Sequence, residues 1–196
     1  MDRMLYVAMT GAQQTLQAQT VNNHNLANVS TTGWNNQTGA LLTTGRDLDI
    51  AVNGQGWIAV QGADGKEAYT RAGDLQVDAT GQLMTANGLP VIGDGGPINI
   101  PPYTSLFFAR DGSISVVAQG QNPDTTATVA RLKLVNPAED QIERGDDGLF
   151  RMKDGSPAPA DANVQIGSGV LESSNVNAAE AMVNMIELAR QFEMQV

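Results

Sequence analysis

Apolar side chains recur every three or four residues near both ends of this chain, and polar residues fill the positions between them. That spacing places the apolar residues on one stripe of an α-helix. The stripe of the N-terminal segment consists of Leu5, Met9, Ala12, Leu16 and Leu26, interrupted by the polar residues Gln19 and Asn23. The stripe of the C-terminal segment consists of Met182, Met185, Ala189, Phe192 and Val196. The pattern predicts an amphipathic helix at each end, and each helix needs a protein partner to cover its stripe.

The flanking residues indicate where one helix begins and the other ends. Asn177 is followed three residues later by Glu180, which is close to a capping box, so we expect the C-terminal helix to start there. After Asn28, β-branched and hydroxyl residues lead to Gly33. Such a combination ends a helix, and we expect the N-terminal helix to stop near Asn28.

Between Arg46 and Gly169 the pattern changes to short apolar runs separated by Asp-Gly and Asn-Gly pairs. These pairs supply the positive φ that tight hairpin turns need. They occur at Asp64-Gly65, Asn87-Gly88, Asp94-Gly95, Asp111-Gly112 and Asp154-Gly155. The runs between them predict strands at 56–60, 68–71, 75–77, 113–116 and 131–135. The middle of the chain is therefore expected to form an antiparallel β domain, without a parallel α/β sheet.

The distribution of charge separates the first helix from the rest of the chain. The 196 residues include 11 basic and 21 acidic side chains, for a formal net charge of −10. This balance excludes nucleic acid as a partner, because binding to a phosphate backbone relies on a basic face. Residues 4–45 carry no charged side chain but include eleven Asn and Gln. Amides form hydrogen bonds with neighbouring protein without the desolvation cost of a buried ion, which favours a helix surrounded by protein. The alternative is a helical hairpin that closes one soluble domain, with its amides facing water.

The sequence offers little for catalysis or for metal binding. Cysteine is absent, which excludes disulfide and thiol chemistry. The single histidine, His24, lies among asparagines with no carboxylate or serine at a useful spacing, so we expect a polar interface residue. The acidic stretch 143–148 lacks the ligand pattern of a calcium loop, and the glycine-rich stretches 53–56 and 93–96 lack the following Lys-Ser/Thr of a phosphate-binding loop. We therefore expect no catalytic residue, no metal site and no cofactor.

The apolar run from Met4 to Met9 bears on targeting. It is too short to span a membrane, and it is also too short for the apolar region of a secretory signal peptide. We therefore expect no membrane insertion and no cleavable signal peptide.

Four segments resemble, in order, the signatures of the flagellar basal-body rod and hook family. They are Asn25-Leu26-Ala27-Asn28-Val29-Ser30-Thr31-Thr32-Gly33-Trp34, Val52-Asn53-Gly54-Gln55-Gly56-Trp57, Ala68-Tyr69-Thr70-Arg71-Ala72-Gly73 and Glu172-Ser173-Ser174-Asn175-Val176-Asn177. We take Asn25, Leu26, Ala27, Asn28, Thr32, Gly33, Trp34, Ser174, Asn175 and Val176 as the family signature, and Gly54, Gly56, Trp57, Tyr69, Thr70, Arg71 and Gly73 as the β-domain motif. The segments 1–12, 45–49 and 189–195 resemble the members that form the proximal rod.

The resemblance implies a fold and a division of the chain. The fold is mainly β with α-helical termini: an antiparallel β domain is flanked by N- and C-terminal helices that pair in a coiled-coil-like layer. Residues 1–33 would form the N-terminal assembly helix and signature, 34–44 a shortened connector, 45–170 the β-rich outer domain and 171–196 the C-terminal assembly helix. Members of the family usually have several tens of residues more in the connector and a longer last helix, so both are expected to be shortened here.

The resemblance also implies a function. The chain would be a structural subunit of the proximal rod of the bacterial flagellar basal body, self-assembling through its terminal helices into the drive shaft that transmits torque. It would not be an enzyme. Its partners would be copies of itself and other flagellar rod proteins, with passage through the flagellar export apparatus and a periplasmic position near peptidoglycan.

Two alternatives follow from the same residues. One is a distal rod or hook-type subunit of the same family. The other is a β module that binds or hydrolyses cell-wall glycan, since a rod must cross that layer. Glycoside hydrolysis requires two carboxylates that converge in a cleft, and the sequence singles out no such pair among the 21 acidic residues.

Overall fold

The computed structural model of the chain divides into two compact units. The β unit consists of residues 32–173, and the terminal unit consists of residues 1–31 together with 174–196. The structure describes residues 13, 15, 16, 18–20, 22, 23, 40–122, 124–145, 147–174 and 178–195, and in the last of these stretches the side chains of 182–191.

Sixteen strands lie within the described part of the β unit. They are β1 (Leu41–Thr43), β2 (Ile50–Asn53), β3 (Trp57–Gln61), β4 (Glu67–Thr70), β5 (Leu75–Val77), β6 (Leu83–Thr85), β7 (Ile92–Gly93), β8 (Gly96–Pro97), β9 (Tyr103–Phe108), β10 (Ser113–Ala118), β11 (Ala127–Arg131), β12 (Leu134–Val135), β13 (Ile142–Arg144), β14 (Phe150–Met152), β15 (Gln165–Ser168) and β16 (Val170–Glu172).

These strands form one five-stranded sheet, one three-stranded sheet and four two-stranded ribbons. The larger sheet has the order β12-β3-β4-β14-β13 and the smaller one the order β11-β10-β9. The ribbons pair β1 with β16, β2 with β15, β5 with β6 and β7 with β8. Every one of these pairings is antiparallel. The predicted β-dominant fold class is confirmed.

Strand β3 explains why the first predicted strand is apolar at successive positions. Adjacent side chains on a strand point to opposite faces. Ile58 and Val60 pack in the larger core, together with Leu83 and Ile114. Trp57 packs in a second, smaller core on the other side of the strand. Both faces of β3 are therefore buried, which accounts for a continuous apolar run where a half-buried strand would alternate.

The predicted strand 131–135 is divided between two sheets. Its first residue, Arg131, ends β11, which pairs with β10. Its last two residues form β12, which pairs with β3. Between them Leu132 forms an isolated bridge with Gly93. The prediction of one continuous strand was wrong because the chain changes hydrogen-bonding partners within these five residues.

Four of the five predicted turn glycines have a positive φ. The values lie between 71° and 85° for Gly65, Gly88, Gly112 and Gly155. In the fifth pair, Asp94-Gly95, the positive φ of 111° falls instead on Gly96. Gly93 pairs with Gly96 across the β7–β8 ribbon, so Asp94 and Gly95 are the two turn residues. The positive φ of this turn is therefore at Gly96, the first residue of β8.

The C-terminal helix runs from Ala178 to Gln195. The described residues between Gln13 and Asn23 are also helical, and Thr20 Oγ1 donates a hydrogen bond to the carbonyl of Leu16 at 2.9 Å, one turn earlier. Both predicted helices thus have a described counterpart. The expected helix end near Asn28 and the cap at Asn177 lie outside the described residues.

The described side chains do not support coiled-coil-like pairing of the two terminal helices. Leu16 is 50% exposed, Met182 is 53% exposed and Ile186 is 57% exposed. Met185 is partly buried, whereas Ala189 is exposed. Paired stripes would bury these positions against each other. The remaining predicted stripe side chains lie outside the described part of the structure: Leu5, Met9, Ala12, Leu26, Phe192 and Val196. Across the described residues, no helix is both long enough and apolar enough to cross a membrane.

Candidate functional site

The β-domain motif is organised around the buried side chain of Arg71, directly after β4. Its Nη1 donates to the carbonyl of Gly56 at 2.8 Å, and its Nη2 donates to the carbonyl of Gly54 at 3.0 Å. Its Nε donates to Glu172 Oε2 at 2.8 Å. The guanidinium is a planar fork of five donors, which suits it to several acceptors at fixed angles. One side chain therefore connects three of the four signature segments.

The glycines of the motif make this arrangement possible. Gly54 and Gly56 have φ values of 84° and 132°, which L side chains rarely adopt. A Cβ on Gly56 would also lie 2.6 Å from Val164 Cγ1. The resulting turn aims both carbonyls at Arg71. The indole ring of Trp57 lies on the same side chain, with 5.8 Å between its centroid and Arg71 Cζ, within the range of a cation–π contact.

The acidic partner of Arg71 occupies the end of the last strand. Glu172 lies on β16 opposite Leu41 of β1. The exposed fractions are 2% for Arg71 and 1% for Glu172. The next residue, Ser173, donates its backbone N–H to the carbonyl of Ala40 at 2.8 Å. A buried ion pair requires its remaining donors to be satisfied, and the carbonyls of Gly56, Gly54 and Val52 accept hydrogen bonds from Nη1 and Nη2 of Arg71.

Tyr69, two residues earlier in the motif, connects the sheet to a distant loop. Its hydroxyl accepts a hydrogen bond from the backbone N–H of Ala158 at 2.7 Å and donates to Glu67 at 2.9 Å. Glu67 Oε1 also accepts a hydrogen bond from Lys133 Nζ at 2.8 Å. Burial, with a smaller contribution from Glu67, raises the pKa of Tyr69 to about 12, so the phenol remains a neutral donor at physiological pH.

The other motif residues shape the backbone after β4. Thr70 Oγ1 accepts a hydrogen bond from the N–H of Ala72 at 3.0 Å. Gly73 lies so close to the backbone of Ile50 that an added Cβ would overlap the Ile50 carbonyl oxygen, and the N–H of Ile50 donates to the Gly73 carbonyl at 2.9 Å. These motif residues therefore fix the path of the backbone after β4 through hydrogen bonds and close packing.

A second buried acid was not singled out from the sequence. Both carboxylate oxygens of Asp49 are buried without a hydrogen bond, and the nearest cation is Arg46 Nη1 at 3.4 Å. Asp49 also forms a β-bridge with Asp74. Burial raises the pKa of Asp74, and the charge of Asp49 raises it further. In the sequence, Arg46 and Asp49 have the i, i+3 spacing of an ordinary surface ion pair. The sequence therefore does not indicate that Asp49 is buried.

Surface depressions among the described residues include three that are each lined by one carboxylate. The first has a volume of about 420 Å³ and includes Trp57, Arg71 and Glu139. The other two, of about 340 Å³ each, include Asp47 and Asp78, respectively. A glycoside hydrolase needs two carboxylates on either side of the scissile bond, and none of these depressions supplies them. The described residues also contain no group of three His, Cys, Asp or Glu side chains suited to a metal ion.

The family signature is only partly described. Ser174 is partly buried. The signature residues 25–28, 32–34, 175 and 176 lie outside the described residues, as does His24. Their predicted roles remain predictions.

Two family models match the chain. One is described as flagellar hook protein FlgE/F/G D1 domain and covers residues 51–121, which include the whole β-domain motif. The other is described as flagellar basal body rod FlgEFG protein C-terminal and covers residues 168–196, which include Glu172 and the C-terminal helix.

Curated relatives match most or all of the chain. The flagellar basal-body rod protein FlgF of Salmonella typhimurium is 43% identical over 231 positions, covering 100% of this chain and 92% of the relative. FlgF of Escherichia coli K12 matches to the same extent. The rod protein FlgG of Buchnera aphidicola from Acyrthosiphon pisum is 40% identical over 163 positions, covering 79% of this chain and 61% of the relative. The chain therefore belongs to the flagellar basal-body rod protein family, as a structural protein of the FlgF type.

Proposed function

We propose that this chain is a non-enzymatic subunit of the proximal rod, which assembles through its terminal helices and transmits torque. The observation that carries the proposal is the apolar surface left uncovered on the C-terminal helix, where Met182, Val183 and Ile186 are each more than half exposed. Full burial of such a side chain contributes about 1.5–3 kcal/mol. Covering the exposed half contributes about 1 kcal/mol per side chain, which is small for one subunit and accumulates over many neighbours.

The charge pattern supports contacts between copies through the termini. Two chains of net charge −10 repel each other. Residues 4–45 carry no charge, so contacts made through this segment avoid that repulsion. Its Asn and Gln side chains supply hydrogen bonds to neighbours instead. The wall of the rod would therefore be built from the neutral, amide-rich part of the sequence.

The proposed division of labour follows the predicted regions. The helices within regions 1–33 and 171–196 form a layer only together with the helices of neighbouring subunits. Residues 34–44 serve as the connector, and residues 45–170 form the outer β domain. The partners are copies of this chain and other rod and hook proteins of the basal body. The subunit would pass through the flagellar export apparatus and reach the periplasm, close to peptidoglycan.

The alternatives have less support. The FlgF proteins of Salmonella typhimurium and Escherichia coli match all of this chain and 92% of their own length, whereas the FlgG protein of Buchnera aphidicola matches 79% and 61%. This difference favours the proximal over the distal rod. A glycan hydrolase would need a carboxylate pair that the three described depressions do not supply.

The test is a charge introduced on each stripe. We expect Leu16→Asp and Met182→Asp to remain folded in the β unit but to be absent from purified basal bodies, because the new carboxylate has no partner in the contact. Asn184→Asp, on an exposed position of the same helix, is the matched control and should be incorporated. Immunoblots of purified basal bodies, together with swimming diameter in soft agar, measure the outcome. Incorporation of both stripe variants at the level of the control would contradict the proposal.

A further inference from the structure

We propose that the buried Arg71–Glu172 ion pair is a positioning lock, which holds the last strand of the β unit in register where the chain enters the terminal unit. The lock would let force on the terminal helices reach the β unit through a fixed point. The inference rests on the proposed function, because only a subunit under load needs such a point.

The first step of the argument is the weakness of the ribbon that the lock holds. Strands β1 and β16 share three residue pairs in a two-stranded ribbon. Leu41 and Leu42 of β1 are 50% and 56% exposed. A two-stranded ribbon with uncovered apolar side chains is at best marginally stable by itself. The register of β16 must therefore be fixed by something outside the ribbon.

The second step is the position of the anchors. At the start of β16, the N–H of Gly169 donates to the Asp49 carbonyl at 2.7 Å, and the Gly169 carbonyl accepts from Thr44 at 2.9 Å. At its end, Glu172 binds Arg71 at 2.8 Å. Ser174, two residues later, is the first residue of the terminal unit on this side. The ion pair thus lies two residues before the units change, next to the backbone hydrogen bond from the Ser173 N–H to the Ala40 carbonyl at 2.8 Å.

The third step is that stability alone does not account for this pair. Well-packed apolar residues commonly replace a buried ion pair without loss of stability, whereas the ion pair restricts geometry. Arg71 is held at two further points by the Gly54 and Gly56 carbonyls, so its Nε is presented to Glu172 at a fixed angle. This geometry selects one register of β16, because a shift by one residue would turn Glu172 to the opposite face.

Another ion pair of the β unit provides a matched control. Lys133 Nζ lies 2.8 Å from Glu67 Oε1, with exposed fractions of 16% and 13%. Glu67 lies on β4, and Lys133 directly precedes β12. Both flank β3 within the five-stranded sheet, and neither belongs to the strand that leaves the β unit. Its loss should affect the sheet but not the ribbon.

The experiment compares Glu172→Gln with Glu67→Gln in the full chain. Amide hydrogen exchange is followed at residues 170–173 and at β3 and β4, and swimming speed is followed as the viscosity of the medium increases. We expect Glu172→Gln to increase exchange in 170–173 on the order of a hundredfold, by analogy with the loss of one partner of a buried pair, with β3 and β4 unchanged. The variant should enter rods but lose more speed than the wild type as viscosity rises. Glu67→Gln should match the wild type in amide exchange at 170–173 and in swimming speed.

Arg71→Lys is the second variant, since it keeps the positive charge but loses the fork. We expect the same local increase in exchange at 170–173. Unchanged exchange there in both variants would overturn the lock. An equal increase at 170–173 and at β3 and β4 would also overturn it, because it would indicate an ordinary stabilising role. Either result leaves the proposed function standing as long as Met182→Asp is excluded from rods. Incorporation of Met182→Asp and Leu16→Asp would instead contradict the proposed function itself.

Discussion

Replacement of Trp57 by Ala tests the organisation of the smaller core. Trp57 is 6% exposed, and its ring lies against Phe150 with centroids 4.3 Å apart at an angle of 42°. Val135 and Ile142 belong to the same core. The indole also lies near the Arg71 side chain. Truncation would leave a cavity between β3 and β14 that none of these neighbours can fill without moving their strands.

The magnitude follows from the buried volume that is lost. Truncation of a buried Phe or Trp to Ala destabilises a protein by about 3–5 kcal/mol, including the cavity that remains. The aromatic pair with Phe150 contributes about 1 kcal/mol of that loss. For a unit of this size each kcal/mol corresponds to roughly 3–5 °C in melting temperature. We therefore expect Trp57→Ala to melt roughly 10–20 °C below the wild type.

Thermal unfolding of the full chain, followed by circular dichroism at a wavelength dominated by β structure, measures this change. Phe107→Ala is the matched control, because Phe107 is an aromatic residue of β9 that is 50% exposed. Loss of the Phe107 ring should lower the free energy of unfolding by at most about 1 kcal/mol. Trp57→Phe should fall between the two. Equal melting temperatures for Trp57→Ala and Phe107→Ala would refute the assignment of Trp57 to the core.

Three further outcomes follow from the contacts of the β unit. Burial raises the pKa of Asp74, so the folded state binds this proton more tightly than the unfolded state, and the free energy of unfolding falls as pH rises above the ordinary pKa of 3.8. Asp74→Asn should therefore resist urea better than the wild type at about pH 7 and equally well at about pH 3. An advantage of the variant that persists at the lower pH would contradict this cause. Gly73→Ala should unfold at a markedly lower urea concentration, because its Cβ overlaps the carbonyl of Ile50; a wild-type midpoint would show that the two backbones can separate. Tyr69→Phe leaves the N–H of Ala158 without its partner and should cost about 1–3 kcal/mol in the same assay, whereas an unchanged midpoint would mean that the N–H finds another acceptor.

Local chemistry explains which parts of the fold were predictable. The Asp-Gly and Asn-Gly pairs favour a positive φ at the glycine through local sterics, and four of the five glycines have one. The strand at Trp57 was recognisable because both of its faces are apolar. The strand predicted at 131–135 was divided because two different sheets compete for its hydrogen bonds. That competition depends on residues distant in sequence, so the local pattern does not contain it.

The candidate site shows the same limit. The motif identified Arg71 as a residue of interest, but its partner Glu172 is 101 residues away, and no spacing rule connects them. Asp49 was also missed, because an acid three residues after Arg46 looks like half of a surface ion pair. The stripes of the terminal helices were predicted from their period, yet Leu16 and Met182 are exposed in a single chain. A period shows which side of a helix is apolar and leaves open which molecule covers it.

The central claim is that the terminal helices acquire their cover from other subunits. The most direct measurement is amide hydrogen exchange of residues 178–195, compared between the purified chain and purified rods that contain it. We expect these amides to exchange rapidly in the free chain and to be strongly slowed in the rod, while Val60 and Tyr69 in the β unit remain slow in both. Equally slow exchange of residues 178–195 in the free chain would mean that the helix is already covered, and would contradict assembly through its exposed stripe.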